Sequence, residues 1–395
     1  MRIEQWAQSR AEELIALRRD LHAHPELSSQ ERRTTATIVR RLQVAGLEPK
    51  VLNCGTGLVC DVGTGDGPVL ALRADIDALS MDDECHTSYR SQEPGKAHAC
   101  GHDVHTAILL GAGLYFAAHP PQGRVRLIFE PAEESVPGGA VDVIEEGHFD
   151  DVGGVFGLHC DPKKKVGTIG LRSGPVSSAS DLIRITLHGP GGHTARPEAT
   201  IDLITVMAEL SLRLPQVLTE RVERADKGPI RLVWGSAVSG DAPNVIPAKA
   251  VLIGTLRTPD RVVWEAQRRL LNESVELILG DSGVRWELYH RQGVPPVDNH
   301  VEPTALWADA IAEELGQDAV VPTEQSWGGD SFAWYTDRVP GTYGRLGVHN
   351  GDGETLDLHA STFDVDERAI GVGVTVLVNT TLLWHERHPA DGGTG

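Results

Sequence analysis

Three apolar stretches that each run into polar residues decide the fold of this chain: PVLALRAD at 68–75, RVRLIFEP at 124–131 and GGVFGLHC at 153–160. Each has the length of a buried strand, and RTTATIVRRLQVA at 33–45 predicts an amphipathic helix. Strands that alternate with helices predict an α/β core on a mixed or parallel sheet, in which the strand ends hold the chemistry. The polar residues that follow these runs are Asp75, Asp77, Glu133, Glu134 and His159.

The pattern changes near residue 180, where Ile183, Ile185 and Leu187 alternate with polar residues. That period is typical of a strand with one solvent-facing side. The stretches that follow predict helix 201–212, strands 230–234 and 250–256, helix 262–279 and strand 284–289. Together they form a small β-α-β-β-α-β unit. The chain then returns to helix and strand alternation and ends in an apolar helix predicted over 367–384, so we expect the small unit to be an insertion in the first domain.

The composition excludes several classes of protein. Among 395 residues, 36 Lys+Arg and 56 Asp+Glu give a net charge of −20 without a basic tract, which excludes nucleic acid as the main partner. The longest uninterrupted apolar run, 107–118, is shorter than the roughly 20 residues that span a membrane, and the first residues lack the apolar segment of a secretory signal. The five cysteines have no CxxC spacing, and their odd number favours a reducing cytoplasm.

The densest signal of chemistry is Ala99-Cys100-Gly101-His102-Asp103. In an extended segment a thiolate and an imidazole two residues apart project to the same side, so Cys100 and His102 are candidates to share a metal ion. Asp103 is expected to orient His102. The alternative is a buried structural cysteine beside a surface histidine, and the pentapeptide alone does not choose between the two.

Glu133 and Glu134 place two carboxylates side by side just past an apolar strand. Neighbouring carboxylates repel, so one is pushed towards its neutral form unless a cation lies nearby. Adjacent side chains do not easily point at one atom, and one can therefore coordinate a metal while the other faces a water as general base. The alternative, two solvated acids on a loop, loses weight because the pair ends a strongly apolar strand.

Further candidates are histidines and an arginine at the ends of short segments. His159 and His359 each follow a short apolar segment, but with 17 histidines in the chain each taken alone is more commonly a core or surface histidine. In GGHTARP the glycines allow a tight turn that presents His193 at an exposed tip, and the alternative is a plain turn. Asn244 and Arg257 belong to the same small unit. The guanidinium of Arg257 is suited to bind a substrate carboxylate, and the alternative is an ordinary surface arginine.

Eight motifs taken together resemble the M20 metallopeptidase family, and most of all its bacterial and plant amidohydrolases that act on N-acyl amino acids. They are LRRDLHAHPELSSQE (17–31), RADIDAL, HACGHDVHT, PAEE with GGA, GLH, GGHTARP, APNVIP and LHASTFDVDE, in family order over nearly the whole chain. The resemblance implies an α/β catalytic domain at 1–177 and 293–387. It also implies an inserted α+β, ferredoxin-like lid and dimerisation domain at 178–292. The tail at 388–395 is expected to be disordered.

The resemblance also implies roles for single residues. The metal ligands for one or two divalent ions (zinc, manganese, cobalt or nickel) would be Cys100, His102, Glu134, His159 and His359. Cys100 is the expected bridging ligand. Glu133 resembles the general base, and His193 the lid histidine that reaches the active site of the partner in family dimers. Asn244 and Arg257 match positions that contact the carboxylate end of the substrate.

The implied reaction is hydrolysis of the amide bond of an N-acyl amino acid, a small-molecule substrate, by a metal-activated water. The enzyme would be a cytoplasmic homodimer or higher homo-oligomer, without nucleic-acid or membrane partners. The alternatives are a dipeptidase or an N-carbamoyl-amino-acid hydrolase that uses the same site, and a metal-dependent binding protein without turnover.

The chain departs from the family pattern at several places, one of which is Ser80 at a usual Pro position. The broader peptidase group has His-x-Asp where this chain has Asp75-Ile76-Asp77, so we expect both aspartates only to support the site. Glu130 stands where Gln is common before PAEE, and Gly329-Asp330-Ser331-Phe332 replaces a usual Ser-Glu-Asp-Phe. None of the five expected ligands is altered.

Overall fold

The chain forms two compact units. The structure is a computed structural model that describes residues 2–353 and 355–389. The first unit comprises Met1–Val176, Asp298–Glu324 and Ser331–Gly395, and the second comprises Ser177–Val297 and Gln325–Asp330. The second unit thus extends beyond the predicted insertion at both ends and includes a short separate segment. Most of the predicted disordered tail lies outside the described residues.

The first part of the chain supplies five helices and seven strands, as far as the described residues go. The helices are α1 (Ile3–Ser9), α2 (Ala11–Ala23), α3 (Arg32–Val44), α4 (His102–Ala118) and α5 (Ala140–Glu145). The strands are β1 (Lys50–Val51), β2 (Leu58–Val62), β3 (Val69–Asp75), β4 (Val125–Glu130), β5 (Val152–Lys165), β6 (Ile169–Leu171) and β7 (Gly174–Pro175).

The second unit and the return to the first unit supply the remaining elements. In the second unit they are β8 (Ala179–His188), β9 (Gly192–His193), α6 (Leu203–Arg224), β10 (Arg231–Ser239), β11 (Val245–Ile246), β12 (Lys249–Thr258), α7 (Arg261–Leu279) and β13 (Arg285–Val294). Back in the first unit they are β14 (Asp298–Asn299), α8 (Val301–Leu315), β15 (Val320–Pro322), α9 (Ala333–Thr336), β16 (Gly341–His349) and α10 (Arg368–Arg387).

An eight-stranded mixed sheet lies at the centre of the first unit, in the order β1-β2-β4-β3-β5-β16-β6-β15. β3 runs parallel to both β4 and β5, and β5 runs parallel to β16. Every residue of β3 and β4 is buried, as their mostly apolar sequences predict, and this includes Arg73 and Arg126. Because the carboxyl ends of parallel neighbours meet at one edge of a sheet, the loops after β3 and β4 lie close together.

The second unit is a four-stranded antiparallel sheet, in the order β10-β12-β8-β13, with α6 and α7 packed on it. This is the predicted β-α-β-β-α-β unit with ferredoxin-like strand order, so the predicted fold class is confirmed. Alternate residues of β8 are buried, and Ile183, Ile185 and Leu187 lie in the core as their spacing predicts.

One helix is much longer than its sequence predicts. The prediction ends it at residue 212, and Pro215, which lacks the N–H that a helix interior needs, lies inside the observed helix. Instead α6 continues to Arg224 and buries Leu210, Leu214, Leu218 and Val222 at a spacing of four residues. The packing of this apolar stripe outweighs the local cost of the proline.

None of the helices in the described part of the chain is both long and apolar enough to cross a membrane.

Candidate active site

The five expected metal ligands come together in the first unit. His102 begins α4 and Cys100 lies two residues before it. Glu134 follows β4, His159 lies within β5 and His359 follows β16. The ligand atoms of Cys100, His102 and His159 lie within 4.8 Å of one another, and so do those of Cys100, Glu134 and His359. Cys100 is the donor that both groups share, which is the arrangement expected of a bridging ligand.

Gly101 makes Cys100 and His102 face one point. Its backbone is left-handed, with a φ of 87°, and His102 opens α4, so the extended segment expected from the Cys-x-His spacing is wrong. A Cβ atom at residue 101 would lie 2.7 Å from Cys160 Sγ. Only glycine fits this turn, because a side chain would be strained by the backbone angle and would overlap Cys160.

Asp77 orients His102. The Nδ1 atom of His102 lies 2.9 Å from the carbonyl oxygen of Asp77 and 3.3 Å from Oδ1, so it donates its proton there and leaves Nε2 to face the ligand group. The expectation that Asp103 orients His102 is wrong. Asp103 contacts Arg18 at 2.7 Å and His22 at 2.8 Å instead, because consecutive residues of a helix do not face each other.

Asp77 also holds Glu134. Its Oδ2 accepts the Glu134 N–H at 3.0 Å and the Ser28 hydroxyl at 2.7 Å. Burial alone opposes ionisation of Asp77, but the hydrogen bonds from His102, Ser28 and Glu134 lower its pKa below the ordinary value. An ionised Asp77 therefore positions two expected ligands: it holds the imidazole ring of His102 and the backbone N–H of Glu134.

His159 presents a neutral imidazole to Cys100. Its Nδ1 donates to the carbonyl oxygen of Cys160 at 2.8 Å, and its Nε2 lies 3.5 Å from Cys100 Sγ. Burial and the charge of Arg345 hold the pKa of His159 well below its ordinary value. Neutral imidazole is the form that binds metal ions. His159 lies inside β5, which continues to Lys165, whereas the sequence predicts a strand that ends near it.

His359 reaches the group from a strained loop. Its φ is 63°, a left-handed value that is uncommon for residues other than glycine. The His359 N–H donates to the carbonyl oxygen of Ala99 at 2.8 Å, and its Nε2 lies 3.5 Å from Glu134 Oε1. This bond ties the loop to the segment that carries Cys100. Strain of this kind persists where the surrounding structure imposes it, commonly at functional sites.

The charges of the site fit a metal cation. Within the described chain, the buried His102 Nε2 and Glu134 Oε1 atoms have no hydrogen-bond partner. Burial alone would lower the pKa of His102, yet Asp75, Cys100 and Asp77 raise it well above the ordinary value. Burial raises the pKa of the Cys100 thiol, so a nearby cation is needed to ionise it. Sulfur, nitrogen and oxygen donors together suit a divalent transition metal or zinc.

A third set of donors, Asp75, His102 and His105, is engaged in internal bonds. The Nε2 atom of His105 accepts the Cys160 N–H at 2.8 Å, so Nδ1 carries the proton and donates to Asp75 Oδ1 at 2.6 Å. Arg73 donates to Asp75 Oδ2, also at 2.6 Å. Both carboxylate oxygens of Asp75 thus have strong partners, as expected of a supporting residue.

Glu133 lies beside the ligand groups. Its Oε2 is 4.0 Å from His102 Nε2, and its Oε1 accepts the Ser331 N–H at 3.3 Å. Glu133 shares a donor set with His102 and Glu134 but belongs to neither of the sets that contain Cys100. This position suits a general base adjacent to the metal.

A buried carboxyl group supports the turn that carries Glu133. Ala132 has a left-handed backbone with a φ of 55°, and its N–H donates to Glu31 Oε1 at 2.7 Å. The Ser29 N–H donates to the same oxygen at 2.9 Å. The sequence predicts no role for Glu31 or Ser28. The available signal is that both stand in the quoted motif at 17–31.

Two of the residues expected to contact substrate lie side by side in the second unit. His193 is exposed in β9 and pairs with Val245 of β11. Asn244 precedes Val245, and its carbonyl oxygen accepts the Thr194 N–H at 3.3 Å. The turn around His193 is therefore held by the strand next to Asn244.

The third expected substrate contact, Arg257, is half-buried in β12 and donates to the carbonyl oxygen of Trp327 at 2.8 Å. The Trp327 ring lies 3.9 Å from the Arg231 guanidinium. One of the Arg257 N–H groups is thus engaged in holding the segment Gln325–Asp330, which belongs to the same unit.

Comparison with known proteins places this site in a family. The model of the family described as Peptidase family M20/M25/M40 matches residues 71–382. The chain belongs to the M20 family. It is 36% identical over 361 residues to the N-acetyl-L-cysteine deacetylase of Bacillus subtilis (strain 168), covering 91% of this chain and 85% of the relative. The M20 chain superposes with a TM-score of 0.83 on the structure of a dinuclear metal-binding M20 peptidase from Bacillus subtilis, at 32% identity, covering 96% and 99% of the two chains.

A longer relative also matches the M20 chain. It is provisionally named glutamate–cysteine ligase 2-3, from Rhodococcus jostii (strain RHA1), and is 45% identical over 370 residues. The match covers 94% of this chain and 46% of the relative, so the chain spans about half the length of that protein.

Family membership confirms the resemblance inferred from the motifs. The matched residues form a metal-dependent amide hydrolase of the M20 family. The donor groups that share Cys100, together with the dinuclear relative, confirm the expectation of one or two divalent metal ions.

Proposed function

We propose that this M20 chain hydrolyses the amide bond of N-acyl amino acids. The observation that carries the proposal is the place of Glu133, next to His102 and Glu134 but outside the two donor groups that contain Cys100. A carboxylate beside the metal ligands, and not among them, can act as a general base. The similarity to a deacetylase of an N-acyl amino acid supports the substrate class.

The residues that would hold the metal are Cys100, His102, Glu134, His159 and His359. When bound, a divalent ion lowers the pKa of water and polarises the scissile carbonyl. Glu133 takes a proton from the attacking water on its carboxylate and delivers that proton to the leaving nitrogen, so one residue serves as base and then as acid. Asp77 keeps the His102 ring and the Glu134 backbone in place during these steps.

In this proposal the second unit supplies the substrate contacts. His193 donates a hydrogen bond to the oxyanion of the tetrahedral intermediate, and its exposed position in β9 supports this role. A single oxyanion donor contributes about 3 to 4 kcal/mol in other hydrolases. Asn244 and Arg257 bind the carboxylate of the amino acid, for which a guanidinium is well suited.

N-acetylcysteine is the first substrate to test, because two relatives of this chain carry names that involve cysteine. A panel of N-acetyl, N-benzoyl and N-carbamoyl amino acids and dipeptides separates the proposal from its alternatives. Turnover of dipeptides or carbamoyl compounds alone would reject the N-acyl assignment. Metal binding without turnover of any panel member would favour the binding protein.

The decisive variant is Glu133→Gln, which keeps the shape of the side chain and removes the base. We expect it to retain the wild-type metal content while kcat falls by about 10² to 10⁴. Glu134→Gln should instead lower metal content, and Glu145→Gln, at an exposed position of α5, is the matched control that should leave both unchanged. Near wild-type turnover by Glu133→Gln would reject the proposed mechanism.

We also propose that the second unit pairs with a second copy of the chain. Its edge strand β10 leaves Val233 and Val238 54% and 62% exposed, and Leu212 of α6 is 70% exposed. Trp234 of β10 donates to the carbonyl oxygen of Ser211, so α6 and β10 are adjacent. An open strand edge beside exposed apolar side chains supports self-association.

Light scattering of the wild type and of Val238→Lys tests this pairing. Dissociation of the variant together with loss of activity would support His193 acting across the dimer, and a fully active monomer would contradict it.

We assign the protein to the cytoplasm, a proposal that the five unpaired thiols support.

A further inference from the structure

A buried chain of polar contacts leads from Arg73 to Glu133. The Arg73 guanidinium donates to Glu130 Oε2 at 2.7 Å and to Ser331 Oγ at 3.0 Å. The Ser331 hydroxyl donates in turn to Glu130 Oε1. The Ser331 N–H donates to Glu133 Oε1 at 3.3 Å. Ser331 is fully buried and thus contacts the ion pair with its side chain and the base with its backbone.

The place of Ser331 leaves no room for it to shift. A Cβ atom on Gly138 would lie 2.4 Å from Ser331 Cβ, so the backbone at residue 138 approaches as closely as glycine permits. The next residue, Phe332, stacks on Tyr343 with ring centroids 4.5 Å apart. The Glu130 Oε1 atom that accepts the Ser331 hydroxyl also accepts the Ala140 N–H at 2.9 Å. The direction of the Ser331 N–H is therefore set by its surroundings.

We infer that Ser331 is a positioning residue for Glu133. Its hydroxyl is locked between Arg73 and Glu130, and this aims its N–H at Oε1 of the base. Oε2, which lies 4.0 Å from His102 Nε2, is then the oxygen that takes the proton. The inference rests on the proposed function, because it needs Glu133 to be the base.

The contact between Ser331 and Glu130 joins one hydroxyl and one carboxylate beside the buried Arg73. If residues 130 and 331 were both carboxylates, the two would repel at hydrogen-bonding distance. If neither were a carboxylate, the buried Arg73 would lose a charged partner. We therefore expect that the single carboxylate can be moved from residue 130 to residue 331 only when both residues are changed together.

Kinetics of four variants test this coupling. Ser331→Ala should lower kcat by about 10-fold, the effect of one hydrogen bond to a charged group, while KM and metal content stay within about 3-fold of wild type. Glu130→Gln should lower kcat by a similar factor. Ser331→Asp should lower kcat by about 100-fold or prevent folding, because it adds a second buried carboxylate. Glu130→Gln/Ser331→Asp should fold and recover kcat to within about 10-fold of wild type.

Thr304→Val is the matched control. Its hydroxyl lies 2.9 Å from that of Thr342 in the buried core of the same unit, without a link to Glu133. It should lower thermal stability and leave kcat unchanged. A wild-type kcat for Ser331→Ala would overturn the inference, and so would a double variant no better than Ser331→Asp. If neither aspartate variant folds, the exchange of 130 and 331 is rejected and Ser331→Ala alone decides the positioning role.

The same experiments separate this inference from the proposed function. If Glu133→Gln is inactive with metal bound while Ser331→Ala has wild-type kcat, only the positioning role fails. If Glu133→Gln remains active, the proposed function fails whatever Ser331→Ala does.

Discussion

Replacing Glu31 with glutamine should make the protein more stable at alkaline pH. Glu31 is fully buried, and burial raises its pKa from 4.5 to about 7. Its Oε1 accepts the N–H groups of Ser29 and Ala132, whereas Oε2 has no hydrogen-bond partner within the described residues. A glutamine keeps the accepting oxygen and places its amide where the protonated acid would carry its hydrogen. The variant therefore mimics the protonated state at every pH.

The sign and size of the effect follow from the pKa. Because the folded state holds the Glu31 proton more tightly than the unfolded state, its stabilising contribution is complete below pH 4.5 and is lost as the pH rises through 7. A shift of this size corresponds to about 3 kcal/mol. Glutamine cannot ionise, so the variant should gain about 2 to 3 kcal/mol over the wild type between pH 5 and pH 8.

Urea unfolding of both proteins at pH 5, 6, 7 and 8 measures this difference. Chelator-treated protein is used, so that pH-dependent metal binding does not contribute. Glu26→Gln is the matched control. Glu26 also accepts two backbone N–H groups, from Arg33 and Thr34, but it is only half-buried, so its variant should show no such gain. A stability difference between wild type and Glu31→Gln that stays constant from pH 5 to pH 8 would refute the reasoning.

Three further perturbations are informative. Asp77→Ala should lower metal affinity by about 10- to 100-fold in calorimetric titrations, because it releases both the His102 ring and the Glu134 backbone; an unchanged affinity would remove its positioning role. Gly101→Ala should reduce the free energy of unfolding by clearly more than Gly167→Ala. Both residues have a positive φ, but of these two only residue 101 would bring its new Cβ within 4 Å of another atom. Equal losses of the free energy of unfolding in urea would contradict this. Leu214→Ala, in the core of the second unit, should cost about 2 to 5 kcal/mol of stability without changing metal content, and a loss of metal would show that the two are linked.

Features that depend on near neighbours along the chain were predictable from the sequence. The strands that end at Asp75 and Glu130 are mostly apolar, with one arginine inside each, and their burial follows from the apolar majority. The period of two at Ile183, Ile185 and Leu187 marked the one-sided sheet of the second unit. The candidate donors were found because eight motifs in order resemble the M20 family; the thiol, the imidazoles and the adjacent carboxylates taken singly had other readings.

Features set by distant partners were not predictable in this way. Asp103 is next to His102 in sequence, but helix geometry turns it towards Arg18, and Asp77 takes the orienting role from a different loop. The prediction of an extended Cys-x-His segment failed for a related reason, since Gly101 adopts a left-handed turn in close contact with Cys160, a residue distant in sequence.

By itself the sequence determined the class of fold and the order of the main elements, because hydrophobic period is a local property. The list of expected metal ligands came from the resemblance of its motifs to the M20 family. Only the tertiary structure decided which donors share Cys100, which carboxylate orients each of them and how Glu133 is held. Those outcomes depend on contacts such as that of Glu31 with Ala132 and of Ser331 with Glu133, which join residues about a hundred or more positions apart. A local pattern contains no information about which distant groups the folded backbone will bring to the same point.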